Sequence, residues 1–204
     1  MDTSVHYPAL DTTGMGFGAV MHLPTELEVY DFTTGYDPTR ELESPYGVGR
    51  YDERRPGMYL GEQFTEGARD LHVGIDLAAP VGTPVFSFYQ GSIFKLGDNA
   101  LPYDYGPTII TAHQWLGQTV YALYGHLSRE SLEMWRPGDT VQTGATIGAL
   151  GSPEVNGGWN PHLHFQLSLI EPDTHDLPGA VSYADRAWAL RAFPDPRLVL
   201  GPLY

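Results

Sequence analysis

NPHLHFQLSL, residues 160–169, alternates without a break. Leu163, Phe165, Leu167 and Leu169 fall on one side; His162, His164, Gln166 and Ser168 fall on the other. A period of two is the pattern of a half-buried β-strand, with the apolar side toward a core and the polar side toward solvent. The core accounts for the leucines and the phenylalanine. It does not account for two histidines one pleat apart on the polar side.

A lone His-x-His pair is weak evidence of a site. A second constellation, HVGID at residues 72–76, alternates too. Val73, Ile75 and Leu77 share one face; His72, Gly74, Asp76 and Ala78 share the other. On a straight strand His72 and Asp76 would stand about 13 Å apart, too far to share one ion. A bend or bulge must bring them together, and Gly74 between them is the residue that permits it.

The chemistry then points to a metal. Catalytic zinc takes three protein ligands from His, Asp and Glu and keeps a fourth position open. His72, Asp76 and one of His162 and His164 supply that set, and the other histidine of the pair faces the open position. Two imidazoles and one carboxylate leave the site with a charge of about +1, which lowers the pKa of a water held there. QTVYALYGHLS, residues 118–128, ends a further strand on His126, an imidazole suited to hydrogen-bonding an oxyanion or moving protons. No HExxH helix occurs, so the general base is a histidine.

The rest of the chain bounds the reading. At 204 residues it holds one domain with a real core. With no cysteine, there is no disulfide framework, thiolate zinc site or cysteine nucleophile. A net charge of −14 disfavours nucleic acid as a partner. No apolar run is long enough to span a membrane. The start, MDTSVHYPALDTTG, has neither a basic nor an apolar leader region. The expected location is therefore cytoplasmic, or periplasmic or secreted if a signal has been removed.

Residues 1–65 read as a loop-rich N-terminal segment with short strands such as GAVMHL, residues 18–23. Its acidic residues, among them Glu26, Glu28, Asp52 and Glu53, read as a solvated face. Residues 66–170 read as the core, a succession of strands separated by turn residues. RESLEMW, residues 129–135, reads as one or two helical turns. Residues 171–204 read as a C-terminal extension whose helix, over about 182–193, ends at Pro194 and packs on the core. His113 reads as structural, and His6, His22 and His175 as solvated loop histidines. Trp159 lines a substrate groove or packs against its loop.

HVGID, YGHLS and PHLHF, in this order, resemble the H-x3-D, isolated His and H-x-H motifs of the M23 (LytM/lysostaphin-type) metallopeptidases. APVGTPVFSFYQGSIFKLG and RPGDTVQTGATIGALG resemble that family's connecting stretches, so the likeness covers about residues 70–170. It implies a mainly β fold with an antiparallel sheet core, long loops and a short C-terminal helix. It implies one zinc ion per chain on His72, Asp76 and His164. His162 matches the general base and His126 the second catalytic histidine, assigned here to the oxyanion. The implied reaction is hydrolysis of a peptide bond, commonly in peptidoglycan cross-links. Two features depart from the common pattern: SPEVNGGWNP replaces a Gly/Ser/Thr-rich approach to the last motif, and Gln166 replaces a Glu after it. In lacking a leader the chain resembles M23-type domains of larger cytoplasmic proteins. The rival readings are a non-catalytic zinc-binding scaffold, or a hydrolase of another peptide-like amide in the cytoplasm.

Overall fold

The computed structural model describes residues 7–37, 43–61, 64 and 68–204. Among them the strands are β1 (Glu28–Val29), β2 (Gly47–Gly49), β3 (Glu53–Arg54), β4 (Arg69–His72), β5 (Ile75–Ala78), β6 (Pro84–Phe86), β7 (Gly91–Asn99), β8 (Gly106–Trp115), β9 (Gln118–Gly125), β10 (Thr140–Val141), β11 (Thr146–Ala149), β12 (His162–Ser168) and β13 (Ala180–Ser182). Three short helices accompany them: α1 (Arg129–Glu133), α2 (Arg186–Ala192) and α3 (Arg197–Leu200). No helix of the described residues is long and apolar enough to cross a membrane.

Eight strands form one sheet in the order β1-β2-β5-β12-β9-β8-β7-β10, antiparallel except for the β1–β2 pair. Its longest members are β7, β8 and β9, and β8 turns into β9 through Leu116-Gly117. Both turn residues have positive φ (48° and 89°), the twist a two-residue hairpin needs. The other sheets are the pair β11–β6 and the three-stranded β13-β4-β3.

NPHLHFQLSL forms β12, near the middle of the large sheet between β5 and β9. Its apolar side enters the main core: Leu163, Phe165 and Leu167 pack with Ile75, Leu77, Phe88 and Tyr124. Burying a side chain such as Phe165 contributes about 1.5–3 kcal/mol. The polar side was expected to face water, and it does not. His164, Gln166 and Ser168 are all buried. A second apolar cluster roofs that face, built from Leu71 and Val73, Ile110 and Leu123, and Trp188 and Phe193 of the C-terminal segment. The polar residues are tolerated there because each finds a hydrogen-bond partner.

HVGID is not one strand. The chain leaves strand geometry at Val73-Gly74, so His72 closes β4 and Asp76 lies within β5. β4 joins the three-stranded sheet and β5 the large one. The bend expected at Gly74 is therefore a change of sheet, and it places both side chains at one junction.

Other expectations need adjustment. Gly18–Leu23 forms no strand; it runs beside Phe86–Phe88 with two backbone hydrogen bonds, Gly18 N–H to Phe88 O and Phe86 N–H to Val20 O. The 182–193 helix begins as a 3-10 turn at Tyr183–Asp185 before α2, and Trp188, Ala189 and Ala192 form its buried face. Tyr183 stays outside with the Arg54 guanidinium over its ring. The N-terminal acidic residues are not uniformly a solvated face, because Glu53 is 4% exposed and ion-paired.

Candidate metal centre

His164 is the hub. Across β12 it pairs with Asp76 of β5 on one side and Gly125 of β9 on the other. Its Nδ1 lies 3.1 Å from Asp76 Oδ1 and 3.1 Å from His72 Nε2. His72 Nε2 lies 3.2 Å from the same Asp76 oxygen. The three atoms form a nearly equilateral triangle.

The protons on the rings decide what this triangle is. His72 Nδ1 sits 2.8 Å from the Arg50 carbonyl, which only accepts, so Nδ1 carries the proton and Nε2 is bare. Gln166 Nε2 donates to the Pro178 carbonyl at 3.3 Å, which turns Gln166 Oε1 toward His164. His164 Nε2–H donates to that oxygen at 2.9 Å, leaving Nδ1 bare. Two imidazole lone pairs and a carboxylate oxygen thus converge with no donor among them. Burial, more than the Arg55 charge, pushes the His72 imidazole down to about 4, so it is neutral at pH 7. Burial also works against the Asp76 charge, but the carboxyl is held well below its ordinary range, with the Arg55 guanidinium as the charged donor beside it.

Three mutually repelling acceptors packed together call for a cation. Among the described residues His72, Asp76 and His164 are the group so arranged. The edge of a zinc tetrahedron with ligands at about 2.0 Å is roughly 3.3 Å. The observed edges of 3.1–3.2 Å match it.

Gly74 makes the arrangement possible in a second way. A Cβ there would stand 2.4 and 2.5 Å from Cε1 and Nε2 of His164. Only a glycine leaves room for the ring. The same hinge that redirects the strand vacates the space the His164 ring occupies.

His162, one pleat before His164, opens onto the cavity beside the triangle, with 16% of its side chain exposed. Its Nδ1–H donates to the Asn160 carbonyl at 2.7 Å, so Nε2 is bare; it lies 3.8 Å from Asp76 Oδ1. His126 follows β9 at φ 63°, a left-handed conformation that non-glycine residues rarely hold without a reason. Its Nδ1–H donates to the Asn156 carbonyl at 2.9 Å, and its ring lies 4.3 Å from that of His162. Burial lowers the pKa of both rings, and for His126 the neighbouring imidazoles lower it further. Both therefore present a lone pair at Nε2. All five side chains singled out in the sequence line this one cavity.

Trp159 forms its aromatic wall, with the rings of Tyr36, Tyr59 and Tyr103 edge-on to it at 5.7–6.4 Å. Tyr105 lies beneath, its ring 5.0 Å from His164 and its hydroxyl donating to the Leu177 carbonyl at 3.1 Å.

The model of peptidase family M23 matches residues 70–175, just over half the chain. The chain belongs to peptidase family M23. Over 121 residues it is 33% identical to the peptidoglycan DD-endopeptidase ShyC of Vibrio cholerae. Over 122 residues it is 34% identical to the DD-carboxypeptidase/endopeptidase Mpg of Neisseria meningitidis. Each match takes 57% of this chain but only 25% and 26% of the relatives, so the chain spans about a quarter of their length. In architecture it is similar to the catalytic domain of the antimicrobial peptidase lysostaphin from Staphylococcus simulans, with a TM-score of 0.51 at 24% identity. That likeness covers 77% of this chain and 93% of the lysostaphin domain. The mainly β fold, antiparallel sheets and short C-terminal helix are those of the lysostaphin type of M23 peptidase.

The remaining histidines of this M23 chain lie elsewhere. His113 is buried, with Nδ1–H to the Gln90 carbonyl at 3.0 Å and Nε2 accepting from the Thr111 hydroxyl at 2.7 Å. His22 is exposed, its ring tilted against that of Phe86; His175 is half-buried against Gly97; His6 lies outside the described residues. Sequence reasoning passed over Gln166 as a partner of His164, noting only that it stands where Glu is common. It missed Arg55 entirely. That side chain comes from outside the 70–175 match, yet its Nη1 donates to Asp76 Oδ2 at 2.7 Å. YDERRPG, residues 51–57, reads as surface charge, and nothing local marks Glu53 and Arg55 as buried.

Proposed function

We propose that this chain is a zinc-dependent endopeptidase in which His72, Asp76 and His164 hold one zinc ion and His162 is the general base. The observation that carries the reading is the triangle of three acceptor atoms, each ring nitrogen stripped of its proton by a carbonyl or amide partner on its far side. Zinc, when bound, supplies a Lewis acid that polarises the scissile carbonyl and acidifies a water beside it.

The protein's own groups carry the proton. His162, neutral and with Nε2 bare at the cavity, accepts a proton from the attacking water and passes it to the leaving amine. The Asn160 carbonyl keeps the ring in that tautomer throughout. His126, expected at the oxyanion, has its ring proton on Nδ1, held by the Asn156 carbonyl, and Nε2 bare. An oxyanion partner needs a proton on Nε2, which burial opposes, so we assign this ring no proton-transfer step. The aromatic wall around Trp159 shelters the bond under attack from bulk water.

The substrate we propose is a peptide bond in peptidoglycan, as in the named activity of ShyC. Peptidoglycan lies outside the cytoplasmic membrane, so the compartment we propose is periplasmic or extracellular. The cytoplasmic expectation draws no support from these relatives.

The test is to incubate zinc-loaded protein with purified peptidoglycan and identify new amine termini by mass spectrometry, with His162→Ala as control. Release by the parent and none by a zinc-loaded His162→Ala supports the reading. Cleavage of soluble peptides alone would move the substrate to another peptide-like amide. No cleavage by a zinc-loaded parent would make this a non-catalytic binding domain.

A further inference from the structure

We propose that Arg55 is a positioning residue that keeps Asp76 a one-oxygen ligand. The inference rests on the metal-centre reading above. The two oxygens of Asp76 have different partners. Oδ1 faces the imidazole lone pairs at 3.1 and 3.2 Å, and Oδ2 accepts from Arg55 Nη1 at 2.7 Å. With Oδ2 so engaged, the carboxylate presents a single oxygen to a cation.

The guanidinium is built in for this purpose. It borders the site cavity yet is only 1% exposed. Burying a guanidinium costs several kcal/mol unless its charge and its N–H groups are matched. Here Nε donates to Glu53 Oε2 at 3.0 Å, Nη2 donates to the Arg50 carbonyl at 3.3 Å, and the Phe32 ring lies 4.9 Å from the guanidinium carbon. Glu53 is itself fixed by Arg50 at 2.6 and 2.9 Å and by the Phe32 N–H at 3.3 Å. The planar fork cannot swing away from Asp76.

The backbone is shaped around the pair. Gly49 of β2 lies opposite Asp76 of β5. A Cβ at Gly49 would stand 2.8 Å from both Arg55 Nη2 and Asp76 Oδ2. The N-terminal segment, outside the family match, thus contributes the residue and the space that divide the carboxylate. A freed carboxylate would chelate through both oxygens and raise the coordination number at the position that water and substrate need.

The test is the visible absorption of the cobalt-substituted protein, whose intensity reports coordination number without any turnover. The parent is expected to show the intense band of a four-coordinate site. Arg55→Met is expected to lose that intensity severalfold, and Arg55→Lys, which retains a donor toward Oδ2, to recover most of it. A folded Arg55→Met protein with the parent's spectrum would overturn the proposal. Should Arg55→Met fail to fold with Glu53 left half-paired, the double variant Glu53→Gln, Arg55→Met removes both buried charges and gives the same two outcomes. A parent that takes up no cobalt would instead overturn the metal-centre reading itself, and this proposal with it.

Discussion

His72 Nε2 and His164 Nδ1 face each other at 3.1 Å with no proton between them. Each ring has its N–H committed on the far side, to a carbonyl or to an amide oxygen. Without a cation the contact is repulsive, and the Asp76 oxygen beside it makes it more so. Zinc should therefore stabilise the fold. At a free concentration a hundredfold above its dissociation constant, the gain is about 2.7 kcal/mol. For a chain of this size that is a rise of roughly 5–10 °C in the melting midpoint. Thermal melts with zinc and with a chelator check this; coincident melts would count against the site.

Gly74→Ala should cost metal affinity more than it costs the fold. The new Cβ would meet His164 ring atoms at 2.4 and 2.5 Å, and the ring must move off the triangle. Overpacking of this kind costs about 1–3 kcal/mol of stability. Competition with a chromophoric chelator measures the affinity. Parent-like affinity in a folded Gly74→Ala protein would contradict the geometry.

Gln166→Leu removes the acceptor that holds the proton on His164 Nε2. Loss of such an outer partner typically weakens a metal site about 10–100-fold. The variant should bind zinc more weakly by that factor and still fold, since Leu suits the fully buried position, at a stability cost of about 1–3 kcal/mol for leaving His164 Nε2–H and the Pro178 carbonyl without this partner. An unchanged affinity would show that the ring is oriented by something else, Tyr105 being the nearest alternative.

His113 should make stability depend on acidity. Burial holds its pKa at about 4 in the folded protein, against about 6.5 unfolded. Between these values only the unfolded chain takes up the proton. Its stabilising contribution is thus complete above about pH 6.5 and falls as pH drops, reaching a loss of about 3 kcal/mol near pH 4. Urea unfolding of the zinc-free protein across this range should show a decline to which the buried His72 and His126 also contribute, and His113→Gln should make it shallower by about 3 kcal/mol near pH 4. Parallel declines in the two proteins would assign the dependence to other groups.

What could be read in the sequence follows from where the information lies. Metal ligands and bases are recognisable by residue type and spacing, so the five side chains of the cavity stand out from HVGID, YGHLS and PHLHF. The need for a bend between His72 and Asp76 follows from strand geometry alone. That Gly74 also makes room for His164 does not, since the clash is with a residue ninety positions on. The polar side of β12 reads as solvent-facing because its roof, Trp188 and Phe193 among others, comes from a distant segment. Arg55 and Glu53 are hidden for the same reason: a run of charged residues looks like surface until its partner, Asp76, is placed beside it.

The most direct test of the central claim is the zinc content of three purified proteins: the parent, His164→Ala and His162→Ala. The account predicts about one zinc per chain in the parent, none in His164→Ala, and parent-like zinc in His162→Ala with its hydrolytic rate down by about 10²–10⁴. Loss of zinc from His162→Ala would contradict the division of roles between the two histidines, and a parent unable to take up zinc would contradict the metal centre as a whole.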